Sequence, residues 1–433
     1  MSSTVDRVHS FLTDEELRSC DSIPEEACQE SPGNFFKNII NGTLTRLAER
    51  IIHPGITLPW IFSALGASGI WIGLLVPARD AGSLLPQLFV SARIRTLNVR
   101  KWVWVLSAII QGLCLLFSGL AIQSGNHTIT VPVLFFLFLL FAIASGVASL
   151  AYKDVTAKTI PSGQRGTMLS YRALFGALLS VPAGLGLLYF VRGTDDVWIY
   201  AMLFYVATAL WWMAALIFSR IVEFVGATGG GRNPWKEAKA GIGILRGDRN
   251  FLKFLLVRAL LFLVPLMLPY ISLMGRQDDS VGMLGSLILV GGLAEMISSP
   301  FWGRQADHSS RKLLQISCLL GVFIAVAALI LPLWLEDRWL SYACLGLVFV
   351  HSIVYSGARL ARKTYLVDYA PKEDRSTYIS VANTFMGFFT AAAAGFAFLG
   401  QSGFQWLLLV FAVLLILGFL LASSLDEATH RAE

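Results

Sequence analysis

Charged residues and cysteines are scarce in this chain of 433 residues, and several common catalytic motifs do not occur. Asp, Glu, Lys and Arg together make up only 14% of the residues, and the five cysteines have no spacing typical of a metal site. The sequence contains no Walker A loop, no GxSxG and no HExxH. ATP-driven pumping and familiar membrane hydrolysis therefore have no support, and we expect neither an enzyme nor a cofactor.

Long hydrophobic runs dominate the sequence instead. Hydrophobic residues account for 55% of the chain, which includes 29 Phe and 12 Trp. A helix that spans a bilayer needs roughly 20 mostly apolar residues. Twelve such runs are predicted, at 56–77, 80–97, 102–122, 131–152, 167–191, 197–219, 250–274, 281–302, 312–335, 339–358, 376–399 and 404–424. The sequence therefore predicts an all-α integral membrane protein whose surroundings are the lipid bilayer.

A pattern of six residues occurs twice, at one fixed separation of about 210 residues. The first copy is Lys153, Pro161, Arg165, Thr167, Ser170 and Phe175, and the second is Lys363, Pro371, Arg375, Thr377, Ser380 and Phe385. The copies follow the fourth and the tenth predicted spans. We therefore predict two pseudo-symmetric six-helix bundles, at residues 51–219 and 250–425, and duplicated bundles usually move solutes.

The segments outside these bundles are more polar. Residues 1–33 carry eight acidic residues against two arginines, which is typical of a disordered tail. The apolar residues of 35–51 have helical spacing, so this stretch is predicted as an interfacial helix that completes a cytoplasmic region over 1–50. Residues 220–249 are predicted as a cytoplasmic linker with a surface helix, and residues 426–433 as a cytoplasmic tail.

Lys and Arg fix the predicted orientation because they are retained in short cytoplasmic loops. With the amino terminus inside, only four of the 34 fall in outward loops: Arg79, Arg192, Arg276 and Arg338. Both termini are therefore predicted to be cytoplasmic, and a plasma membrane or bacterial inner membrane is expected. The same topology explains the net charge of +6 without a nucleic-acid partner.

The segment Gly303-Arg-Gln-Ala-Asp307-His-Ser-Ser-Arg311-Lys312 resembles the loop signature of the major facilitator superfamily. The loop from Asp368 to Arg375 is similar to a second pattern of that superfamily. In the first half Arg100 and Lys101 match, although Thr96 occupies the place of the acid. The resemblance implies the twelve-helix fold of that family and a cytoplasmic gate in which Asp307 favours the start of span eleven. The gate candidates are Gly303, Asp307, Arg311, Lys312, Arg100, Lys101, Lys153, Arg165, Lys363, Asp368, Glu373 and Arg375.

Ionisable side chains within the predicted spans are the candidates for contact with a solute or a proton. Arg258 in span seven and Glu295 in span eight are expected at similar depth. They form either a permanent structural pair or a pair that opens during transport, with Glu295 accepting a proton. Arg79 and Asp80 lie either in a tight outward turn or in the cavity.

Three more residues complete this set. Gln87 lies beyond Asp80 in the same run and could add a hydrogen-bonding group. His351 and Tyr355 are four residues apart in span ten and share one helix face. His351 is either a buried, hydrogen-bonded histidine or part of a proton relay.

We therefore expect a secondary active transporter that moves a small organic solute by alternating access and couples to protons. Two alternatives stay open. The same fold could serve as a receptor or assembly factor that delivers pigment or lipid, or it could transport lipid. The sequence does not identify the solute.

Overall fold

The computed structural model describes residues 9, 23–190, 197–225, 243–274, 276, 281–371, 374–400 and 403–428. No β-strand occurs in these ranges, and helices form almost all of the regular structure. The helices of the first half are α1 (Glu25–Ile51), α2 (Thr57–Ala64), α3 (Gly69–Arg95), α4 (Lys101–Gln123), α5 (His127–Thr159), α6 (Ser162–Phe190) and α7 (Val197–Ser219). Those of the second half are α8 (Arg249–Leu260), α9 (Leu263–Met274), α10 (Val281–His308), α11 (Ser310–Trp334), α12 (Asp337–Tyr369), α13 (Arg375–Ala392), α14 (Phe396–Leu399) and α15 (Phe404–Ser423).

Many of these helices are long and apolar enough to cross a membrane. Nine candidate spans meet both conditions within the described residues, and a bent pair over 282–306 raises the number to ten. The predicted total of twelve is therefore not reached by length and composition alone. Helices α1 and α3 are long enough but contain charged residues, which lower their mean hydropathy.

The two copies of the sequence repeat also have the same backbone structure. Helices α5 and α12 both contain 33 residues, and their first residues, His127 and Asp337, are 210 positions apart. Each helix ends shortly before a proline of the repeat, with one residue between them. The amide of Gln164 then donates to the carbonyl of Pro161 at 3.0 Å, and the amide of Asp374 donates to that of Pro371 at 3.2 Å.

The first two predicted spans are wrong. Helix α3 continues without interruption from Gly69 to Arg95, so Arg79 and Asp80 lie inside a helix and not in an outward turn. The Pro77-Ala-Arg79-Asp80 sequence resembles a turn because it combines a proline with two charges. A helix tolerates this stretch where its polar side chains face a cavity.

The predicted interfacial helix at 35–51 is also wrong, because these residues are part of α1 and pack inside the bundle. Helix α1 lies against α6 and α7. The side-chain amide of Asn41 donates to the carbonyl of Ala214 at 3.0 Å, and that of Asn34 donates to Val222 at 2.9 Å. Residues 25–33, predicted as disordered tail, form the first turns of this helix.

Other parts of the predicted polar segments lie outside the described residues. These are residues 1–8 and 10–22 of the acidic tail, residues 226–242 of the linker with its surface helix, and residues 429–433 at the carboxyl end.

The two halves meet most extensively along two pairs of helices, α6 with α10 and α3 with α13. Glycines bring the first pair into backbone contact. A Cβ on Gly184 would lie 2.9 Å from the carbonyl oxygen of Gly285, and a Cβ on Gly285 would lie 2.7 Å from that of Gly184. Small residues permit this close approach of two helices in lipid.

Candidate functional site

A cavity of about 700 Å³ lies between the two halves of the bundle. Its described walls come from α1, α3, α5 and α6 in the first half and from α9, α10 and α12 in the second. The residues between α1 and α2, including His53 and Gly55, form part of its floor. Towards the other side the lining reaches Arg46 and Ser170, which are both exposed.

The halves are in contact at the end of the bundle beyond this floor. The hydroxyl of Ser272 donates to the carbonyl of Gly55 at 3.1 Å. The guanidinium of Arg276 donates to the carbonyl of Trp60 at 3.3 Å and lies over its ring. We call the opposite end of the bundle, which carries Arg100 and Arg311, the basic end.

Glu295 is held between the two halves by two arginines. Its carboxylate accepts hydrogen bonds from the guanidinium groups of Arg50 on α1 and Arg359 on α12. All three residues line the cavity. The predicted pair between Glu295 and Arg258 is therefore wrong, because two other arginines lie closer to the carboxylate.

Arg258 lies apart from this group, near the end of α8. One of its terminal nitrogens donates to the side-chain oxygen of Asn383 at 3.1 Å. Its Nε is buried and has no hydrogen-bond partner in the described part of the chain. No carboxylate within that part forms an ion pair with Arg258. The positive charge of Arg362 repels its guanidinium.

Arg79 and Asp80 both line the cavity, as one of the two open interpretations predicted. Arg79 donates to the carboxylate of Glu49 at 3.3 Å, and its guanidinium lies over the ring of Phe141. No hydrogen-bond donor among the described residues reaches the Asp80 carboxylate. Gln87 donates to the backbone carbonyl of Ser83 at 2.8 Å and is absent from the described lining of the cavity.

His351 and Tyr355 share one face of α12, as their spacing predicts. His351 is buried, and its Nε2 donates to the carbonyl of Val264 at 2.8 Å. Its ring stacks on Tyr355 with centroids 6.3 Å apart, and Arg359 lies over the tyrosine ring. This is the geometry of a hydrogen-bonded core histidine whose ring also reaches the cavity.

The gate candidates of the first half are bonded within that half. The amides of Arg100 and Lys101 both donate to the carboxylate of Glu223, at 2.9 and 2.7 Å. The ammonium of Lys158 donates to the same carboxylate, whose side chain is fully buried. Arg165 caps the preceding helix by donating to the carbonyls of Ala157 and Ile160. Lys153 is exposed near the end of α5.

The corresponding residues of the second half are also bonded within their own half. Arg311 donates to the carbonyl of Leu425 at 2.8 Å and forms an ion pair with Glu427 at 3.0 Å. The amide of Lys312 donates to the hydroxyl of Ser309, which caps α11.

The other gate candidates of the second half differ in how much the structure describes. Gly303 and the backbone of Asp307 are helical, because α10 extends to His308, whereas the side chain of Asp307 lies outside the described part. Glu373 also lies outside it. Lys363 is exposed near the end of α12, Asp368 lies in its last turn, and Arg375 begins α13.

Sequence reasoning missed four of the charged residues in the cavity. Arg46, Glu49 and Arg50 were assigned to an interfacial helix and Arg359 to a cytoplasmic loop. The 3,4 spacing of Arg46, Glu49 and Arg50 places them on one helix face. The helix also has an apolar face. The pattern therefore fits a helix at a lipid surface and a helix in a cavity wall equally well.

The family model of the Major Facilitator Superfamily matches residues 39–389, and a second match covers residues 267–432. The chain belongs to this superfamily. It is accordingly an integral, multi-pass membrane protein of a transporter family. No curated protein matches the sequence significantly.

Solved structures of this superfamily share the fold at low sequence identity. A D-xylose-proton symporter is 12% identical, with 92% of this chain and 99% of the symporter covered and a TM-score of 0.69. A point mutant of the nucleoside transporter NupG is 11% identical over 90% of this chain and 99% of its own, with a TM-score of 0.68. The xylose transporter XylE from E. coli, in an inward open conformation, is 12% identical over 91% and 96%, with a TM-score of 0.67.

Proposed function

We propose that the protein is a secondary active transporter that carries a small organic solute by alternating access. The cavity between the halves supports this proposal most directly, because the Arg50–Glu295 ion pair crosses it and its volume of about 700 Å³ suits a small organic molecule. The fold shared with sugar and nucleoside transporters is consistent with it.

The proposal includes twelve spans with a revised beginning. Helices α1 and α2 together form the first span, and α3 forms the second. Helices α8 with α9 and α13 with α14 are broken spans of the second half. Neighbouring helices can satisfy the backbone groups that such interruptions free.

The basic end would face the cytoplasm, in a plasma membrane or bacterial inner membrane. Within the part of the chain that the structure describes, nearly all the Lys and Arg of the predicted loops lie at this end, in keeping with the retention of positive charge inside. Both termini would then be cytoplasmic, and the conformation described above would be inward-facing. Closure of the basic end would bring the gate candidates of the two halves together.

Proton coupling is the second part of the proposal, and Asp80 is its first candidate. Asp80 can bind a proton without losing an ion pair, whereas Glu295 would have to release Arg50 and Arg359. Glu295 would instead join the halves and exchange partners when solute enters. This proposal replaces the alternative, open at the level of the sequence, in which Glu295 accepts the proton.

Flux into proteoliposomes tests the function. The purified protein would be reconstituted with pooled sugars, nucleosides, organic anions and hydrophobic drugs, under an imposed proton gradient. Uptake above protein-free liposomes that disappears in Glu295→Gln supports a transporter that uses this cavity. No flux of any solute under either direction of the gradient would favour a receptor or assembly role.

A further inference from the structure

The charges of the cavity are arranged in two layers. The deeper layer contains Glu295 with its two arginines and the pair of Arg79 with Glu49, so each arginine there has a carboxylate partner. The second layer lies about one helical turn nearer the basic end, because Arg46 precedes Arg50 by four residues and Lys363 follows Arg359 by four.

The second layer is cationic. It contains Arg46, Lys153, Arg362 and Lys363, and none of these forms an ion pair with a described residue. The Lys363 ammonium is repelled by four neighbouring positive charges, those of Arg359, Arg362, Arg46 and Lys153. We call Arg46, Lys153, Arg362 and Lys363 the mouth cluster.

Cations near the cytoplasmic ends of helices are common in membrane proteins. Two features distinguish the mouth cluster from that general tendency. Arg46 lines the cavity, and the positive charge of Arg362 acts on both Asp80 and Arg258 inside the bundle. Arg46 therefore belongs to the cavity wall, and Lys153, Arg362 and Lys363 lie nearer the basic end on α5 and α12.

The cluster is also divided between the halves. Arg46 and Lys153 belong to α1 and α5, whereas Arg362 and Lys363 belong to α12. Lys153 and Lys363 are the two copies of one position in the repeat. Closure of the basic end would bring these like charges together, and their repulsion would oppose closure unless an anion lay between them.

From this arrangement we propose that the transported solute is a small organic dianion, whose oxyanion groups bind the mouth cluster and bridge the two halves. This inference rests on the transport function proposed above and specifies its substrate class. Arg46 and Arg362 provide planar donors for carboxylate or phosphate oxygens, and the lysines provide point charges. Binding offsets the repulsion, so the loaded carrier closes and the empty carrier stays open.

The test measures binding to the full-length protein in nanodiscs of phosphatidylcholine. Phenyl phosphate and succinate serve as dianionic probes, and phenol and succinamide as their uncharged counterparts. The dianions should bind and the uncharged compounds should not. Arg46→Gln combined with Lys363→Gln should weaken dianion binding at least tenfold. Arg304→Gln is the matched control, because Arg304 is exposed on α10 and is absent from the described cavity lining.

Three results would overturn the proposal. These are equal affinity for the uncharged compounds, equal weakening by Arg304→Gln, and loss of probe binding when phosphatidylglycerol is added to the nanodiscs. The last result would assign the cluster to lipid headgroups. Flux of uncharged solutes without dianion binding would overturn this inference and leave the transport function intact, whereas dianion binding without any flux would contradict transport alone.

Discussion

Arg50 and Glu295 form an ion pair that joins the two halves of the protein across the central cavity. The residues are 245 positions apart in the chain and lie on α1 and α10. Because Arg359 bonds to the same carboxylate, Glu295 balances one cation from each half. Its removal would leave two arginines facing each other without compensation.

Glu295→Gln should therefore destabilise the protein as well as impair flux. Breaking a fully buried pair costs about 3–5 kcal/mol. We expect roughly 2 kcal/mol here because 28% of the Glu295 side chain is exposed. Thermal unfolding in detergent measures the effect, and Glu336→Gln, at an exposed residue, is the control. An unchanged Tm would show that the pair is not maintained in solution.

Asp80→Asn should separate proton coupling from solute movement. The amide cannot exchange a proton but keeps the size of the side chain, so we expect exchange of solute to continue and proton-driven accumulation to fall at least tenfold. Parallel measurements of counterflow and of acidification inside proteoliposomes distinguish the two activities. Asp337→Asn, at an exposed site at the start of α12, should leave both unchanged. Retained accumulation in Asp80→Asn would exclude this residue as the proton carrier.

The fold was predictable from sequence where residues repeat, and the cavity was not. The duplicated prolines mark the ends of α5 and α12, because each stops a helix by local chemistry, although the predicted spans end earlier, at 152 and 358. The first two spans were predicted wrongly because a search by run length favours uninterrupted apolar residues. Arg46, Glu49 and Arg50 interrupt the apolar sequence of α1, and Arg79 with Asp80 interrupts that of α3, although both helices are continuous. Their pairing depends on tertiary contacts between helices, which spacing along one helix does not reveal.

The partners of the charged residues were also not predictable from the sequence. Arg258 and Glu295 were expected at similar depth, and depth alone suggested a pair. Rotation about each helix axis decides whether two side chains meet, and packing sets this rotation. In the structure α10 presents Glu295 to the first half, whereas Arg258 bonds to Asn383 on α13.

Gly184→Ala should perturb the contact between the halves. The added methyl group would lie 2.9 Å from the carbonyl oxygen of Gly285 and 3.0 Å from the backbone nitrogen of Leu289, so α6 and α10 would have to separate. We expect a cost of about 1–3 kcal/mol from overpacking and a fall in flux.

A glycine on the same helix provides the matched control. Gly186→Ala adds the same methyl group where no atom lies within 4 Å, so its Tm and flux should match the wild type. Equal effects of the two variants would show that helix propensity, and not the contact with Gly285, determines the outcome.

Glu223→Ala should destabilise the basic end of the first half and leave the cavity unchanged. The Glu223 carboxylate accepts the amides of Arg100 and Lys101 at the start of α4 and the ammonium of Lys158. Loss of a capping carboxylate and of a buried partner for Lys158 should cost about 2 kcal/mol. Thermal unfolding measures this cost, and dianion binding to the mouth cluster should stay within twofold of wild type. A large loss of binding with an unchanged Tm would instead place Glu223 in the solute pathway, because the substitution would then affect binding and not stability.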